Sequence, residues 1–214
     1  MRSSSMSSLA FAPLYPIVDV GDSAATDRAL ALAEAVLAAG APWLQLRCKG
    51  LPARLHVQLA RELVDRASRT GARVIVNDRI DVALASGAAG VHVGQDDLPL
   101  AAVRGAGGRE LIVGVSTHSV LEAEQALADG ADYVGFGPLF PTMSKSDALT
   151  PRSLSVLRDV RRAIAIPIVA IGGITEATAP EVLAAGATSV AMIGALASAS
   201  DPRALAERLL RSSI

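Results

Sequence analysis

At 214 residues the chain is long enough for one sizeable hydrophobic core and short for two domains. It is 51% apolar, rich in Ala, Val, Leu and Gly and poor in aromatics, which argues against a disordered or fibrous chain and suits tightly packed helices and strands. A net charge of −1 offers no electrostatic argument for nucleic acid or an anionic membrane surface as partner; the single cysteine, Cys48, excludes an intrachain disulfide and favours a reducing cytoplasm.

The first eight residues are small and polar, and the apolar run Leu9-Ala-Phe-Ala12 is too short for a signal-peptide core before it meets Pro13. Residues 1–12 therefore read as a flexible tail, with Met6 as an alternative start, and 13–214 as one domain. The first strand is expected at Tyr15–Asp19, followed by a turn and helix cap at Gly21-Asp-Ser23 and a helix from Ala25 to Ala39 that stops at Gly40. A strand at Trp43–Arg47 precedes a helix from Pro52 to about Ser68. The β-branched run at Val74 forms the third strand, which ends in Asn77 and Asp78 and leads into a short helix.

Val91–Val93 is the fourth strand and Leu98 to about Arg104 its helix; Leu111–Val115 is the fifth, with a helix at Val120–Ala128. Tyr133–Gly137 is the sixth strand, followed by a long loop from Pro138 to Pro151 and a helix at Leu154–Ala163. Pro167–Ile171 is the seventh, with a helix from Glu176 to Ala185. Ser189–Ile193 is the eighth, and Pro202–Arg211 closes the chain. The uncharged stretch from Val182 to Ser200 raises the question of a membrane span, but Gly186 and Gly194 divide it and Thr188, Ser189, Ser198 and Ser200 interrupt it. It reads as a helix end, a turn, a buried strand and a loop of a soluble protein.

Strict alternation of short apolar strands with helices predicts a parallel sheet covered by helices. A Gly-Ala pair recurs before five of the strands, at Gly40, Gly71, Gly87, Gly130 and Gly186, and sets a period of about 24 residues. Eight near-equal units match a single (β/α)8 TIM barrel better than an open doubly wound sheet.

In such a barrel the chemistry lies at the strand C-terminal ends and in the loops after them. Those positions hold Gln45, Arg47 and Lys49; Asn77 and Asp78; Gln95 and Asp97; Ser116 and His118; Thr142, Ser144 and Lys145; Gly172 and Gly173; and Gly194. Each has a plainer alternative. Asp78 and Asp97 would serve equally as helix N-caps, and Arg47 and Lys49 as a solvated loop. His92, inside an apolar strand, reads as a hydrogen-bonded wall residue rather than a metal ligand. Cys48 has no histidine near it in sequence and reads as a bystander. Gly172-Gly173 suits a tight turn or a phosphate anchor. Two aspartates without a Cys/His cluster suit Mg²⁺ rather than zinc, and the cations suit the phosphates that Mg²⁺ accompanies. The residues thus point to a barrel that handles a diphosphate and a phosphate, without naming the substrates.

The motifs Gln45-Leu-Arg-Cys-Lys49, Val76-Asn-Asp-Arg79, Gly90-Val-His-Val-Gly-Gln-Asp-Asp97, Gly114-Val-Ser-Thr-His118, Asp132-Tyr-Val-Gly-Phe-Gly-Pro-Leu-Phe-Pro-Thr142, Lys145 and Ala170-Ile-Gly-Gly-Ile174 span nearly the whole chain in order. As an ordered set they resemble the thiamine phosphate synthase (thiamine-phosphate pyrophosphorylase) family. The resemblance implies a transferase of thiamine biosynthesis. An aminopyrimidine diphosphate loses pyrophosphate, and the nitrogen of a thiazole phosphate, or of its carboxylated form, takes its place to give thiamine phosphate. It also implies a pyrimidine diphosphate site at Gln45, Leu46, Arg47, Cys48, Lys49, Asn77, Ser116 and Lys145, with Arg47, Lys49, Lys145 and Ser116 as the catalytic groups. It implies Mg²⁺ on Asp78 and Asp97, and thiazole phosphate at Thr142, Met143, Ser144, Gly173, Ile193 and Gly194.

Three residues depart from the family pattern. Ser144 stands where threonine is common, Gly194 where serine is usual, and Ser153 where glycine is expected, with Pro151 nearby to stiffen the loop. Two rival readings are a thiazole tautomerase of the same family, with His118 transferring the proton, and a non-catalytic phosphate-binding barrel. The intact Asn77-Asp78 and Asp97 weigh against the tautomerase, which handles one monophosphate and has less use for them. Nothing in the chain indicates an oligomeric state.

Overall fold

The structure is a computed structural model and describes residues 10–142 and 150–212. Eight short strands carry the sheet: β1 (Leu14–Val20), β2 (Trp43–Cys48), β3 (Arg73–Asn77), β4 (Gly90–Val93), β5 (Ile112–Thr117), β6 (Tyr133–Phe136), β7 (Ile168–Ala170) and β8 (Ser189–Met192). They pair in chain order, all parallel, and β8 returns to β1 through Leu14↔Val190 and Tyr15↔Ala191, so the sheet closes into a barrel. The helices between the strands are α1 (Thr26–Ala38), α2 (Ala53–Ser68), α3 (Ile80–Ser86), α4 (Leu100–Gly107), α5 (Val120–Ala128), α6 (Leu154–Ala163) and α7 (Ala179–Ala184). The last strand is followed by α8 (Gly194–Ala197) and α9 (Pro202–Leu210). The expected (β/α)8 architecture is the observed one.

Strand alternation divides the interior into two cores. On β2, Leu44 and Leu46 face outward into the layer beneath the helices, together with residues such as Val74, Val76, Val91, Val113 and Leu157. Trp43 faces inward and joins Tyr15, Ile17, Ile75, Tyr133, Val169 and Ala191 inside the barrel. Period-two side-chain placement is the cause, because each strand is covered on both faces. Phe11 stacks on Trp43 at 4.7 Å, and Ala10 accepts a hydrogen bond from the Trp43 indole at 3.0 Å. Ala10 and Phe11, expected in the tail, are thus part of the barrel floor, since an inward indole needs an acceptor for its N–H; residues 1–9 lie outside the described residues.

The Gly-Ala recurrence has the expected backbone. Gly40, Gly71, Gly87, Gly130 and Gly186 all have positive φ, and Gly87 is the left-handed C-cap of α3. Three expectations need correction. The fourth helix begins at Leu100, not Leu98, because the residue before Pro99 is disfavoured in the helical region. The seventh begins at Ala179, not Glu176, because Thr175 and Thr178 close a turn through a Thr175 N–H to Thr178 Oγ1 bond of 3.0 Å. The residues after β8 form the single-turn α8 instead of a loop, with the Ala197 N–H on Ile193 O at 3.0 Å. Among the described residues no helix is long and apolar enough to cross a membrane.

Candidate active site

The inward alternation that puts Trp43 on the barrel floor carries Gln45 to its middle and Arg47 to its C-terminal mouth. Gln45 is buried, 3% exposed. Asp19, in register with Arg47 at the end of β1, accepts a hydrogen bond from the Arg47 guanidinium at 2.6 Å. Leu46 belongs to the outer core, so a ligand at the mouth would meet its backbone rather than its side chain. Cys48 is half-buried; burial first and then the Asp19 charge push its thiol up to about 12, against the opposing pull of Arg47. That is the behaviour of an unreactive thiol.

Lys49 follows β2 and sets its Nζ 3.7 Å from Asp78 Oδ2. Asn77 ends β3, and Asp78 after it has φ 63, the only described non-glycine residue at positive φ. Its N–H donates to His92 O on the neighbouring strand at 2.7 Å. Asp78 does not cap α3, whose N-cap position is Arg79, without a side-chain cap bond. Asp97 does not cap α4 either; its carboxylate accepts from the Gly94 N–H at 2.7 Å. The capping alternative fails for both.

The two carboxyls instead face each other. Asp78 holds its proton more tightly than an ordinary aspartate, first through burial, then through the Asp97 charge and a hydrogen bond with Asp97, against Lys49 and Arg47. A held left-handed backbone and a strained carboxylate pair are features that collect at functional sites. Among the described residues no group of three or more His, Cys, Asp and Glu forms a metal cluster; the pair supplies two oxygen donors.

Ser116, inward on β5, lies 3.0 Å from His92 Nε2 through its Oγ, and its carbonyl accepts from Gln95 Nε2 at 2.5 Å. His92 Nδ1 is 3.0 Å from the buried Tyr133 hydroxyl, which is 3.0 Å from that of Tyr15. His92 is a hydrogen-bonded wall residue, as its strand position indicates. His118 is held by Gly137 O on Nδ1 at 2.6 Å, and its N–H donates to Glu122 at 2.8 Å.

The loops after β6 and β7 pair with each other. The Leu139 and Phe140 N–H groups donate to Ile171 O and Gly172 O, both at 3.0 Å, which brings Phe140 and Pro141 against Gly173. Ile193 and Gly194 stand at the end of β8. Met143, Ser144 and Lys145 lie outside the described residues. Sequence reasoning missed Asp19, Tyr15 and Tyr133 as parts of the site. Their signal was available: each holds an inward position of its strand, but the pairing that makes it meaningful is long-range.

A closed parallel barrel with cations and paired carboxylates gathered at its C-terminal mouth defines a (β/α)8-barrel enzyme. Residues 14–196 match the thiamine monophosphate synthase family, and the chain belongs to it. It is 47% identical over 196 residues to a thiamine-phosphate synthase of Chloroflexus aurantiacus, covering 92% of this chain and 90% of the relative. A thiamine-phosphate synthase of Methanocella arvoryzae is also 47% identical, covering 92% of each chain. The thiamine phosphate pyrophosphorylase of Pyrococcus furiosus superposes with a TM-score of 0.82 at 33% identity, over 92% of this chain and 93% of that one.

Proposed function

We propose that this protein is a cytoplasmic transferase that joins an aminopyrimidine methyl diphosphate to a thiazole phosphate, or its carboxylated form, giving thiamine phosphate and pyrophosphate. The observation that carries the reading is the charge arrangement at one mouth. Arg47 is braced by Asp19, and Lys49 lies against Asp78, which faces Asp97. Membership of the family and the names of its relatives support the same reading.

The donor set fits Mg²⁺. A buried carboxyl whose proton affinity is raised beside a second carboxyl is relieved by a divalent cation, and a hard cation prefers oxygen. When bound, Mg²⁺ on Asp78 and Asp97 supplies positive charge to the diphosphate oxygens. The protein's own groups do the rest. Arg47 and Lys49, with Lys145 from the loop after β6, neutralise charge that grows as pyrophosphate leaves. Gln45, Asn77 and Ser116 hold the pyrimidine half, with the backbone of Leu46 and Cys48 between them. Thr142, Met143, Ser144, Gly173, Ile193 and Gly194 hold the thiazole phosphate so that its nitrogen lies in line with the departing group. An electron-rich aminopyrimidine stabilises a cationic methylene, so the reaction needs no covalent nucleophile.

The test is to mix purified protein with both phosphorylated halves and Mg²⁺ and to assay thiamine phosphate and pyrophosphate together. Equal amounts of the two products are expected. No product from the intact protein would refute the assignment.

A further inference from the structure

Three buried groups, joined by four polar contacts, link Gln45 to Ser116 across the barrel interior. Gln45 Nε2 lies 3.4 Å from the Tyr15 hydroxyl, which lies 3.0 Å from the Tyr133 hydroxyl. Tyr133 is 3.0 Å from His92 Nδ1, and His92 Nε2 is 3.0 Å from Ser116 Oγ. Tyr15, Tyr133, Gln45 and His92 are each at most 9% exposed. The slot they occupy is made by glycine. Gly114 and Gly135 take inward positions on β5 and β6, in register with His92 and Ser116 respectively. A Cβ at Gly114 would collide with the Tyr133 ring and come within 2.5 Å of His92 Nδ1; one at Gly135 would come within 2.9 Å of His92 Cε1. Both rings therefore lie where only backbone leaves space, at contact with each other's polar atoms.

Each hydroxyl carries one proton, so the chain has one of two polarities. An amide N–H only donates. With Gln45 donating to Tyr15, a Tyr15 proton directed to Tyr133 sends the Tyr133 proton to His92 Nδ1. The imidazole then carries its proton on Nε2 and donates it to Ser116 Oγ. The Ser116 proton is left for an acceptor outside the chain. We propose that Tyr15, Tyr133 and His92 are positioning residues that fix the His92 tautomer and so orient Ser116 as a hydrogen-bond donor to the bound pyrimidine diphosphate. The inference rests on the substrate proposed above, and it makes Ser116 a directed donor rather than a nucleophile activated by histidine. In the reverse polarity Ser116 would donate to His92 Nε2, the arrangement of a serine–histidine pair.

The test reads the tautomer first, without substrate. In the full chain labelled with ¹⁵N-histidine, long-range ¹H–¹⁵N correlation at pH 8, assigned by the signal lost in His92→Gln, should find the proton on Nε2. A proton on Nδ1 overturns the proposal. In Tyr133→Phe the single tautomer should be lost, and kcat should fall about 10-fold, the worth of one oriented hydrogen bond, with a smaller change in KM for the pyrimidine diphosphate. Combining Tyr133→Phe with Ser116→Ala should cost no more than Ser116→Ala alone. Unchanged kcat in Tyr133→Phe, or full additivity in the double variant, overturns the proposal. The tautomer and its loss are read on the apoprotein, so failure of the synthase assignment is recognised separately, as absence of product from the unsubstituted protein.

Discussion

Asp78 concentrates the strain of the site in one residue. Its φ of 63 lies in the left-handed region, which aspartate tolerates better than most side chains, and its carboxyl is buried beside Asp97. Asparagine tolerates the left-handed region best, so Asp78→Asn removes the charge and keeps the backbone. Because the folded protein raises the proton affinity of Asp78, its ionisation opposes folding. That contribution is favourable below the ordinary carboxylate range and is lost as pH rises through the folded value. Metal-free Asp78→Asn should therefore melt higher than the unsubstituted protein at pH 8 in a calorimeter, and the gap should close as pH falls. Turnover with Mg²⁺ should drop about 100-fold, the scale of one lost transition-state contact. A lower melting temperature at pH 8 would contradict the cost of ionising this buried carboxyl beside Asp97. Asp19 is the complementary case, a carboxylate that braces Arg47 instead of opposing a neighbour.

At the scale of elements, the mouth is built from loops that hold one another. The segment after β6 bonds to Ile171 and Gly172, and Gly173 at φ 61 allows the close approach. A Cβ there would collide with Pro141 O and come within 2.8 Å of Phe140 Cβ. Gly173→Ala should push the two loops apart and raise KM for the thiazole phosphate about 10-fold, a strain of the size such positions store. KM for the pyrimidine diphosphate, whose proposed groups other than Lys145 come from β2, β3 and β5, should change less, by about twofold, since distant sites act independently. Steady-state kinetics with each substrate varied in turn checks both. Equal losses on the two sides would mean that the change spreads through the barrel.

Across the whole molecule, folding strength and chemistry occupy different layers. The helix-facing layer is mostly apolar, with His56, Ser86 and Thr117 as buried polar exceptions, whereas the inner layer changes from Phe11, Trp43 and Tyr15 at the floor to Arg47, Asn77 and Ser116 at the mouth. Leu157 on α6 is fully buried in the outer layer. Leu157→Ala should cost about 3 kcal/mol and lower the melting temperature by roughly 6–12 °C for a chain of this size. At 25 °C both KM values and kcat should remain those of the unsubstituted protein. A selective loss of kcat would show that the outer layer sets the site geometry.

Most of the architecture was legible from local pattern. Apolar strands covered on both faces, helices between them and Gly-Ala punctuation are properties of neighbouring residues, and eight units of one length already call for closure. The residues at strand ends, from Gln45 to Asp97, could be read as site groups because strand direction alone decides which end faces the mouth. The roles of Asp78 and Asp97 as cap or site group could not be settled there, since both give the same short polar signal. That was decided by folding, which brought the carboxyls together and left α3 and α4 without side-chain caps from them. Asp19 on Arg47, and Tyr15 with Tyr133 behind His92, likewise depend on strands far apart in the chain. Local sequence determined which residues point into the barrel; the register and closure of the sheet determined which of them meet, because hydrogen-bond partners across a barrel are set by distance in space and not by spacing along the chain.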